Sequence, residues 1–571
     1  MKQTELRWNQ LFLLQTEEYL HLFTPEDFTD EEQLISKTTE RFVKKEVVPQ
    51  LPSIEQQNHE ATCRLFEKAG ELGLLGIEVP EAYGGLSLNK KVAGLVAEKM
   101  GFGGSFSVSF NIHAGVGTLP YVYFASEKQK CKYLPKLSSG EWIGAYALTE
   151  SGAGSDALSA KTSAVRNEDG TEWLLNGEKQ WITNAQVADV YVVFASTSMG
   201  MTAFIVERSF NGVSVGPEEK KMGIKGSSTA TLILDQVRIP NDNVLGTAGV
   251  GHRVALNILN MARLKLAFSN IGAAKQALEL AVNYGTERKQ FRKELVEFTM
   301  IQEKIANMTT AIYGAESSAY RTAGALDDVI DSFATSDNWM EKIADYAMEC
   351  AINKINSSEV LDAIVDEAVQ IHGGYGYMQE YEVERLYRDA RISRIFEGTN
   401  EINRLTVSKI LVKKFIQQQP MMREPETVVH AGRNEAFIQL SKRMLYRSLD
   451  SITHSSLPIE DEQEYMRLLA DIIKDIYVME SALLRTSKGI AKNGAESGEM
   501  KQLVTDVLCE EGYRRVEESA VSIISAAATD EQNRKQLLDE IRHLPAPLYT
   551  NLFVKKRTIA KEIIKRTHYF V

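Results

Sequence analysis

The hydrophobic period of this chain changes twice, and that constrains its fold more than any other feature. From about Glu31 to Gly140 apolar residues recur at three- and four-residue steps, as in "DEEQLISKTTERFVKKEVV" and "TCRLFEKAGELGLLG", which predicts amphipathic helices. From about Trp142 to Val244 the texture becomes short β-branched and aromatic runs, "WIGAYALT", "EWLLNG", "VYVVFAST", "TAFIVE" and "TLILDQVRI", bounded by Gly, Asn and Asp. The helical period returns at Gly251 and lasts to about Phe415, in blocks long enough for a helix bundle. After the polar, Pro-containing linker "QQQPMMREPE", helical patterning resumes from about residue 430 to 571. The expected architecture is mainly α with a central β domain. It comprises an N-terminal arm (1–30), a helical domain (31–141), a β-barrel-like domain (142–246), a four-helix bundle (247–416) and an additional C-terminal helical domain (417–571).

Composition narrows the function. A chain of 571 residues, 44% hydrophobic and 25% charged, is an ordinary globular protein of several domains. Its net charge of −12 opposes wrapping of a polyanion, so no nucleic acid is expected as a partner, while a small anionic ligand is compatible with a local basic patch. Cys63, Cys131, Cys350 and Cys509 form no C-x-x-C pair and the nine His form no H-x-x-x-H, so no metal site is expected and a reduced compartment is. The first twenty residues break their apolar run with Gln, Thr and Glu, and no stretch of about 18 apolar residues occurs later. The expected location is the cytoplasm.

Five segments concentrate chemistry. "GAGSDA", Gly152 to Ala157, matches the dinucleotide pattern G-x-G-x-x-[GA], but the adjoining "LSAKTSAVRNEDGTEWLLNG" reads as strand and hairpin rather than a phosphate-binding helix, so a nicotinamide-binding βαβ unit is not expected. Its exposed amides still suit a phosphate or a flavin edge, and a plain loop is the competing reading. "KQWITN" places Trp181 and Thr183 on one face of a strand, suited either to a hydrogen-bonding aromatic cofactor or to a β core beside a surface Thr. "ERKQF" (Glu287 to Phe291) and "QIHGGYGY" (Gln370 to Tyr377) close two helical blocks with a cation, aromatics and paired glycines, as a ligand contact or as a helix stop. In "RIFEGTNEI", Glu397 is either an acid placed near the next helix's N-terminus or a carboxyl projecting into an apolar pocket, where desolvation would make it a stronger base.

Taken in order, "YALTESGAGSD", "KQWITN", "KKMGIKGSSTA", "ERKQF", "AVQIHGGYGY", "RLYRDARI" and "RIFEGTNEI" closely resemble the acyl-CoA dehydrogenase family over about residues 35 to 415. The C-terminal helical region resembles the extra domain of that family's very-long-chain branch. The resemblance implies FAD as cofactor and Glu397 as the base that removes the pro-R α-proton of a fatty acyl-CoA while the β-hydrogen leaves as hydride to the flavin, giving a trans-2-enoyl-CoA. It implies that electrons pass to an electron-transfer flavoprotein. It further implies that Tyr146, Leu148, Thr149, Gly154, Ser155, Trp181, Ile182 and Thr183 line the flavin. Arg288, Phe291, Gln370 and Gly374 would contact its pyrophosphate and adenine side, partly across a homodimer interface, with Thr399 and Glu401 at the other end. Ser155, Asn260, Arg263 and Gly398 would meet the acyl-CoA.

Within this resemblance Gly103, Gly104 and Ser105 lie where a distal acyl chain would need room. The six Lys and Arg among the last seventeen residues suit weak peripheral contact with an anionic membrane, or a solvated helix face. Two alternatives stay open. One is a medium-, short- or branched-chain enzyme of the same family, and the other is a non-catalytic flavin-binding scaffold.

Overall fold

The computed structural model describes residues 21–333, 339–418, 432–454, 461–527 and 530–571. The first twenty residues of the expected arm, and the expected linker from residue 419 onward, lie outside the described residues. The first helices are α1 (Asp30–Phe42), α2 (His59–Glu71), α3 (Lys90–Met100), α4 (Gly104–Ile112) and α5 (Glu127–Ser139). Helix α1 starts on a reciprocal cap, in which the Glu32 amide donates to Thr29 Oγ1 (3.2 Å) and the Thr29 amide donates to Glu32 Oε2 (2.9 Å), pairing two donors that helix geometry leaves open. Helix α5 repeats the device with Ser126 and Gln129 and stops at Gly140, whose φ of 77° costs a glycine little.

Eight strands come next, β1 (Gly144–Ala147), β2 (Ser163–Arg166), β3 (Glu172–Thr183), β4 (Val190–Thr197), β5 (Gly200–Glu207), β6 (Val213–Val215), β7 (Thr229–Pro240) and β8 (Val244–Leu245). They form one sheet in the order β6-β7-β3-β2-β4-β5-β8, with β1 parallel to β4. Strand β4 shows why its sequence is continuously apolar. Alternate residues face opposite sides, so Val190, Val192 and Phe194 join the helical core while Tyr191, Val193 and Ala195 join the sheet's own core with Trp173, Phe204 and Leu232. The segment after "GAGSDA" runs through a short turn into β2, which pairs antiparallel with β3, so no βαβ crossover surrounds the glycines.

The second helical domain contains α6 (Gly251–Glu287), α7 (Thr299–Phe333), α8 (Ala347–His372), α9 (Glu382–Ala390) and α10 (Asn400–Gln418). Ala267, Ile271, Ala274, Leu278 and Ala281 of α6 repeat at bundle spacing and are fully buried or nearly so. Helix α9 joins the bundle to the sheet domain, since Arg388 Nη1 donates to the Met222 carbonyl (3.0 Å) and Asp389 accepts from the Ile224 amide. Five helices complete the chain, α11 (Arg433–Thr453), α12 (Gln463–Asn493), α13 (Ala495–Ala527), α14 (Glu531–Arg542) and α15 (Leu552–Arg566).

This extension is keyed into the rest by buried polar groups. Arg485 of α12 reaches Glu316 of α7 (2.6 Å) and Glu26 (2.7 Å), and Thr486 meets Tyr313 (2.7 Å). In α15, Lys556 is spent on Glu511 and Lys555 on Asp506, which leaves Arg557, Lys561, Lys565 and Arg566 at the surface. No helix among the described residues is long and apolar enough to cross a membrane.

Candidate active site

Glu397 sits on a turn that its sequence does not announce. Its φ is 55° and that of Gly398 is 83°, two consecutive left-handed residues. For glutamate this costs roughly 1–2 kcal/mol, so the surroundings must hold it. Arg263 Nε of α6 donates to the Glu397 carbonyl (3.1 Å), and Lys354 Nζ of α8 donates to the Gly398 carbonyl (2.8 Å) and to Asn400 Oδ1 (2.7 Å). Asn403 Nδ2 adds a second bond to the Gly398 carbonyl (2.7 Å). Helix α10 then starts from Thr399, whose carbonyl accepts from the Asn403 amide (2.9 Å) and whose Oγ1 accepts from the Ile402 amide (3.3 Å). The acid in the helix's first turn is therefore the exposed Glu401, while Glu397 precedes the cap.

Glu397 lines a mostly apolar cavity between α4 and α6, with Val108, Ile112, Ala262, Leu266 and Phe396 and the polar Asn111, Lys265 and Ser269. Burial raises its pKa above the ordinary carboxylate value, with Arg263 and Lys354 pulling the other way. Burial also brings the Lys354 ammonium down to about 7, against the attraction of Glu397. An acid held above its usual range by burial, with two cations fixing its backbone, is the arrangement expected of a general base. Among the described residues no group of His, Cys, Asp or Glu is arranged to hold a metal.

Residues from two strands, β1 and β3, and from the loop after β1 approach the same region. Tyr146 lies on β1, feels the Glu397 charge, and has a buried hydroxyl with no hydrogen-bond partner among the described residues. In β3 the register slips between Lys179 and Ile182, so simple alternation fails there. Lys179 and Ile182 are both buried, while Trp181 turns outward, 57% exposed at φ 58°. A Trp in the left-handed region is a marked outlier, and such strain clusters at ligand sites.

The bulge is fixed to the Leu148–Thr149 segment by the Gln180 amide, which donates to the Thr149 carbonyl (2.9 Å). It is fixed also by Lys179, whose Nζ donates to the Leu148 carbonyl (3.2 Å) and Glu150 Oε1 (2.7 Å). Burial opposes ionisation of Glu150, yet the Lys179 ammonium and the Lys161 and Thr162 amides hold its carboxyl down at about 2. Gly154 and Ser155 are exposed beside this anchor, and a Cβ on Gly154 would meet nothing within 4 Å. An orphaned buried hydroxyl, an outward indole and open glycine amides fit a flat aromatic group with polar edges.

A second cluster lies beyond the C-terminus of α6. The Arg288 guanidinium covers the Tyr375 ring (5.4 Å), Phe291 is 89% exposed, Gln370 is exposed, and Gly374 has open space where a Cβ would be. Arg263 and Arg288 are separated along α6 by roughly 37 Å at 1.5 Å per residue, so the two clusters of one chain do not face a common small pocket. Of the residues expected to meet acyl-CoA, Ser155 is exposed and Gly398 forms the turn, whereas Asn260 and Arg263 are buried. Arg263 Nη1 is held by Asn260 Oδ1 (2.9 Å) behind the turn, so in this structure the pair braces Glu397 instead of lining an open groove. Gly103 to Ser105 are also placed away from the cavity. A Cβ on Gly104 would collide with Arg385 Nη1 at 2.5 Å, and Ser105 bonds Glu55 and the Gly226 amide.

Family models for the acyl-CoA dehydrogenase N-terminal domain (residues 29–141), middle domain (145–237) and C-terminal domain (249–412) match in succession, and a further acyl-CoA dehydrogenase C-terminal domain model matches residues 444–542. The chain belongs to the acyl-CoA dehydrogenase family. This acyl-CoA dehydrogenase is 48% identical over 582 aligned positions to the "Probable acyl-CoA dehydrogenase" of Bacillus subtilis (strain 168), covering 98% of each chain. It is 35% identical to the "Very long-chain specific acyl-CoA dehydrogenase, mitochondrial" of Macaca fascicularis, over 86% of this chain and 81% of that one. The crystal structure of an acyl-CoA dehydrogenase complexed with FAD from Bacillus anthracis superposes with a TM-score of 0.91 at 43% identity, covering 97% of this chain and 99% of that chain. Sequence reading missed Lys354, Asn403, Lys179 and Glu150 as parts of the site, because each acts on it through a fold contact, although Glu150 and Lys179 stand inside quoted motifs.

Proposed function

We propose that this enzyme binds FAD and catalyses α,β-dehydrogenation of a fatty acyl-CoA to the trans-2-enoyl-CoA, the first step of fatty-acid β-oxidation. The observation that carries the reading is Glu397, a carboxyl of raised pKa presented by two left-handed residues to an apolar cavity. The α-proton of a thioester is too weakly acidic for a carboxylate in water. Removal by a Glu397 oxygen therefore needs the developing negative charge on the thioester oxygen to be met by preorganised donors. The left-handed turn directs the Glu397 amide to that task, and Arg263, Lys354 and Asn403 keep it from relaxing. FAD, held by Tyr146, Leu148, Thr149, Gly154, Ser155, Trp181, Ile182 and Thr183, supplies the two-electron acceptor.

Arg288, Phe291, Gln370 and Gly374 serve the flavin of a second copy, a reading supported by their distance along α6 from Arg263, and the working unit is then at least a homodimer. Electrons then leave to an electron-transfer flavoprotein. The four free cysteines fit a reduced, cytoplasmic setting. Preference for long chains is supported by the helical extension and by the very-long-chain relative. A shorter-chain preference is the second reading, favoured by one observation, the Lys265 side chain that walls the cavity near Glu397.

Glu397→Gln tests the chemistry. The variant keeps the oxidised-flavin spectrum and loses about 10²–10⁴-fold in flavin reduction by acyl-CoA, the usual worth of a general base. Undiminished reduction would reject the assignment.

A further inference from the structure

A cavity of about 560 Å³, within the size range of small-molecule sites, opens where the first helical domain, the bundle and the last residues of the chain meet. None of its lining residues belongs to the base, flavin or thioester positions described above. One wall is α6, where Gln276, Glu279 and Asn283 fall at i, i+3 and i+7 and so share one face of the helix. Gln276 lies roughly 20 Å from Arg263 along that helix at 1.5 Å per residue. The segment after α1 supplies Val43 and Lys44, and Phe102 follows α3. The last wall is Tyr569, which the left-handed Thr567 (φ 63°) turns back toward the bundle. Its hydroxyl donates to Glu316 (2.8 Å), and its ring lies under the Lys275 ammonium (4.7 Å).

The polar groups that α6 leaves open in this cavity are acceptors. Gln276 is 8% exposed, and its Nε2 donates to Glu382 Oε1 (2.7 Å), a carboxylate also held by Arg385 (3.0 Å). Because an ionised Glu382 can only accept, that bond fixes which way the amide faces, and Gln276 Oε1 stays buried with no partner among the described residues. A buried carbonyl without a donor is unfavourable, and a ligand N–H would relieve it. One helical turn on, Glu279 is half-buried and makes no ion pair among the described residues. The cations around it are engaged elsewhere. Lys44 feels the Glu279 charge yet bonds Glu40 (2.6 Å), Lys99 pairs with the other Glu40 oxygen (4.0 Å), and Lys275 is shared by Glu98 (2.6 Å) and Glu316. The remaining titratable group on the wall, His568, is exposed to solvent.

We propose that this cavity binds a monovalent organic ammonium ion with an apolar body, an alkyl- or arylamine, whose N–H groups donate to Gln276 Oε1 and the Glu279 carboxylate while its body lies against Val43, Phe102 and the Tyr569 ring. A carboxylate ligand would set acceptor against acceptor on the α6 face, and a dication would exceed the single unpaired carboxylate there. The site is separate from the dehydrogenation site, so this inference does not rest on the reading of the reaction above.

Calorimetric titration of the FAD-loaded full chain with phenethylamine, and with phenylpropionate as its charge-reversed counterpart, tests the proposal. The amine should bind and the acid should not. Glu279→Gln should weaken amine binding about tenfold, the scale of one charge-assisted hydrogen bond, and Gln276→Leu should weaken it by a smaller factor. Flavin bleaching by acyl-CoA should be the same in both variants as in the wild type, since neither residue reaches the Glu397 turn. If Gln276→Leu loses its flavin, Glu279→Gln, at a half-exposed position, decides the matter alone. Absence of amine binding at millimolar concentration, or equal binding of amine and acid, would overturn the proposal. So would an amine affinity in Glu279→Gln within about twofold of wild type, well below the scale of that bond.

Discussion

Replacing Lys354 by methionine isolates what the strained turn contributes to catalysis. The ammonium makes two short bonds, to the Gly398 carbonyl (2.8 Å) and Asn400 Oδ1 (2.7 Å), from inside α8 where its side chain is wholly buried. Neither acceptor is orphaned by the change, since Asn403 still serves Gly398 (2.7 Å) and Ser358 still serves Asn400 (3.3 Å). The fold should therefore survive, with a loss of about 2 kcal/mol, one charge-assisted hydrogen bond's worth. Catalysis should suffer more. Without Lys354 the left-handed pair is free to recover part of its roughly 1–2 kcal/mol of strain, and a shift of about 1 Å in a positioned reacting group costs on the order of 100-fold.

The pH dependence carries a second signature. Flavin reduction requires ionised Glu397, whose pKa burial has raised and Lys354 partly restrains. Removing that cation raises the Glu397 pKa further, so the acid limb of the rate profile moves to higher pH. The other charges facing position 354, Arg263, Glu359 and Glu401, are unchanged. Stopped-flow bleaching of the FAD-loaded variant across the range from mildly acidic to mildly alkaline pH reads both effects. A rate within about threefold of wild type, far less than misplacement should cost, together with an unmoved acid limb, would refute the clamp.

Lys179→Met should lose FAD rather than slow the chemistry, because it leaves Glu150 buried without its cation, a change that typically costs about 3–5 kcal/mol. Flavin content after gel filtration and the thermal midpoint would both fall, and retention of stoichiometric FAD would contradict the anchoring role. Sedimentation of the holoprotein should give a dimer or larger, and Arg288→Ala with Phe291→Ala should weaken FAD binding without altering the Glu397 turn. A monomer holding stoichiometric FAD would contradict the shared site.

Much of the architecture is set by sequence period alone. The two changes of period place the sheet domain between helical ones, and the alternation of "VYVVFA" with both faces apolar already requires a strand covered on two sides. Capping residues such as Thr29 with Glu32 act over three positions, so they too are visible in one dimension. Glu397 stands out for the same local reason, an acid between Ile-Phe and Gly-Thr. Where alternation was extrapolated through "KQWITN", the bulge between Lys179 and Ile182 intervened. That slip is imposed by the partner strand β7 and by the buried Lys179–Glu150 pair, neither of which the hexapeptide contains.

The tertiary structure alone decided how the acid is held. Arg263 lies 134 residues before the Glu397 carbonyl that it grips, and Lys354 lies 44 before Gly398, so no local pattern relates them. A lysine in a helix reads from sequence as a solvated surface charge. Packing against α10 makes Lys354 a buried clamp, and contacts with Ala114 and Glu78 turn Lys265 inward. Period and turn chemistry are properties of neighbouring residues and are written along the chain. Burial, pKa and strain depend on what other elements bring to the same place, and they exist only once the chain has folded.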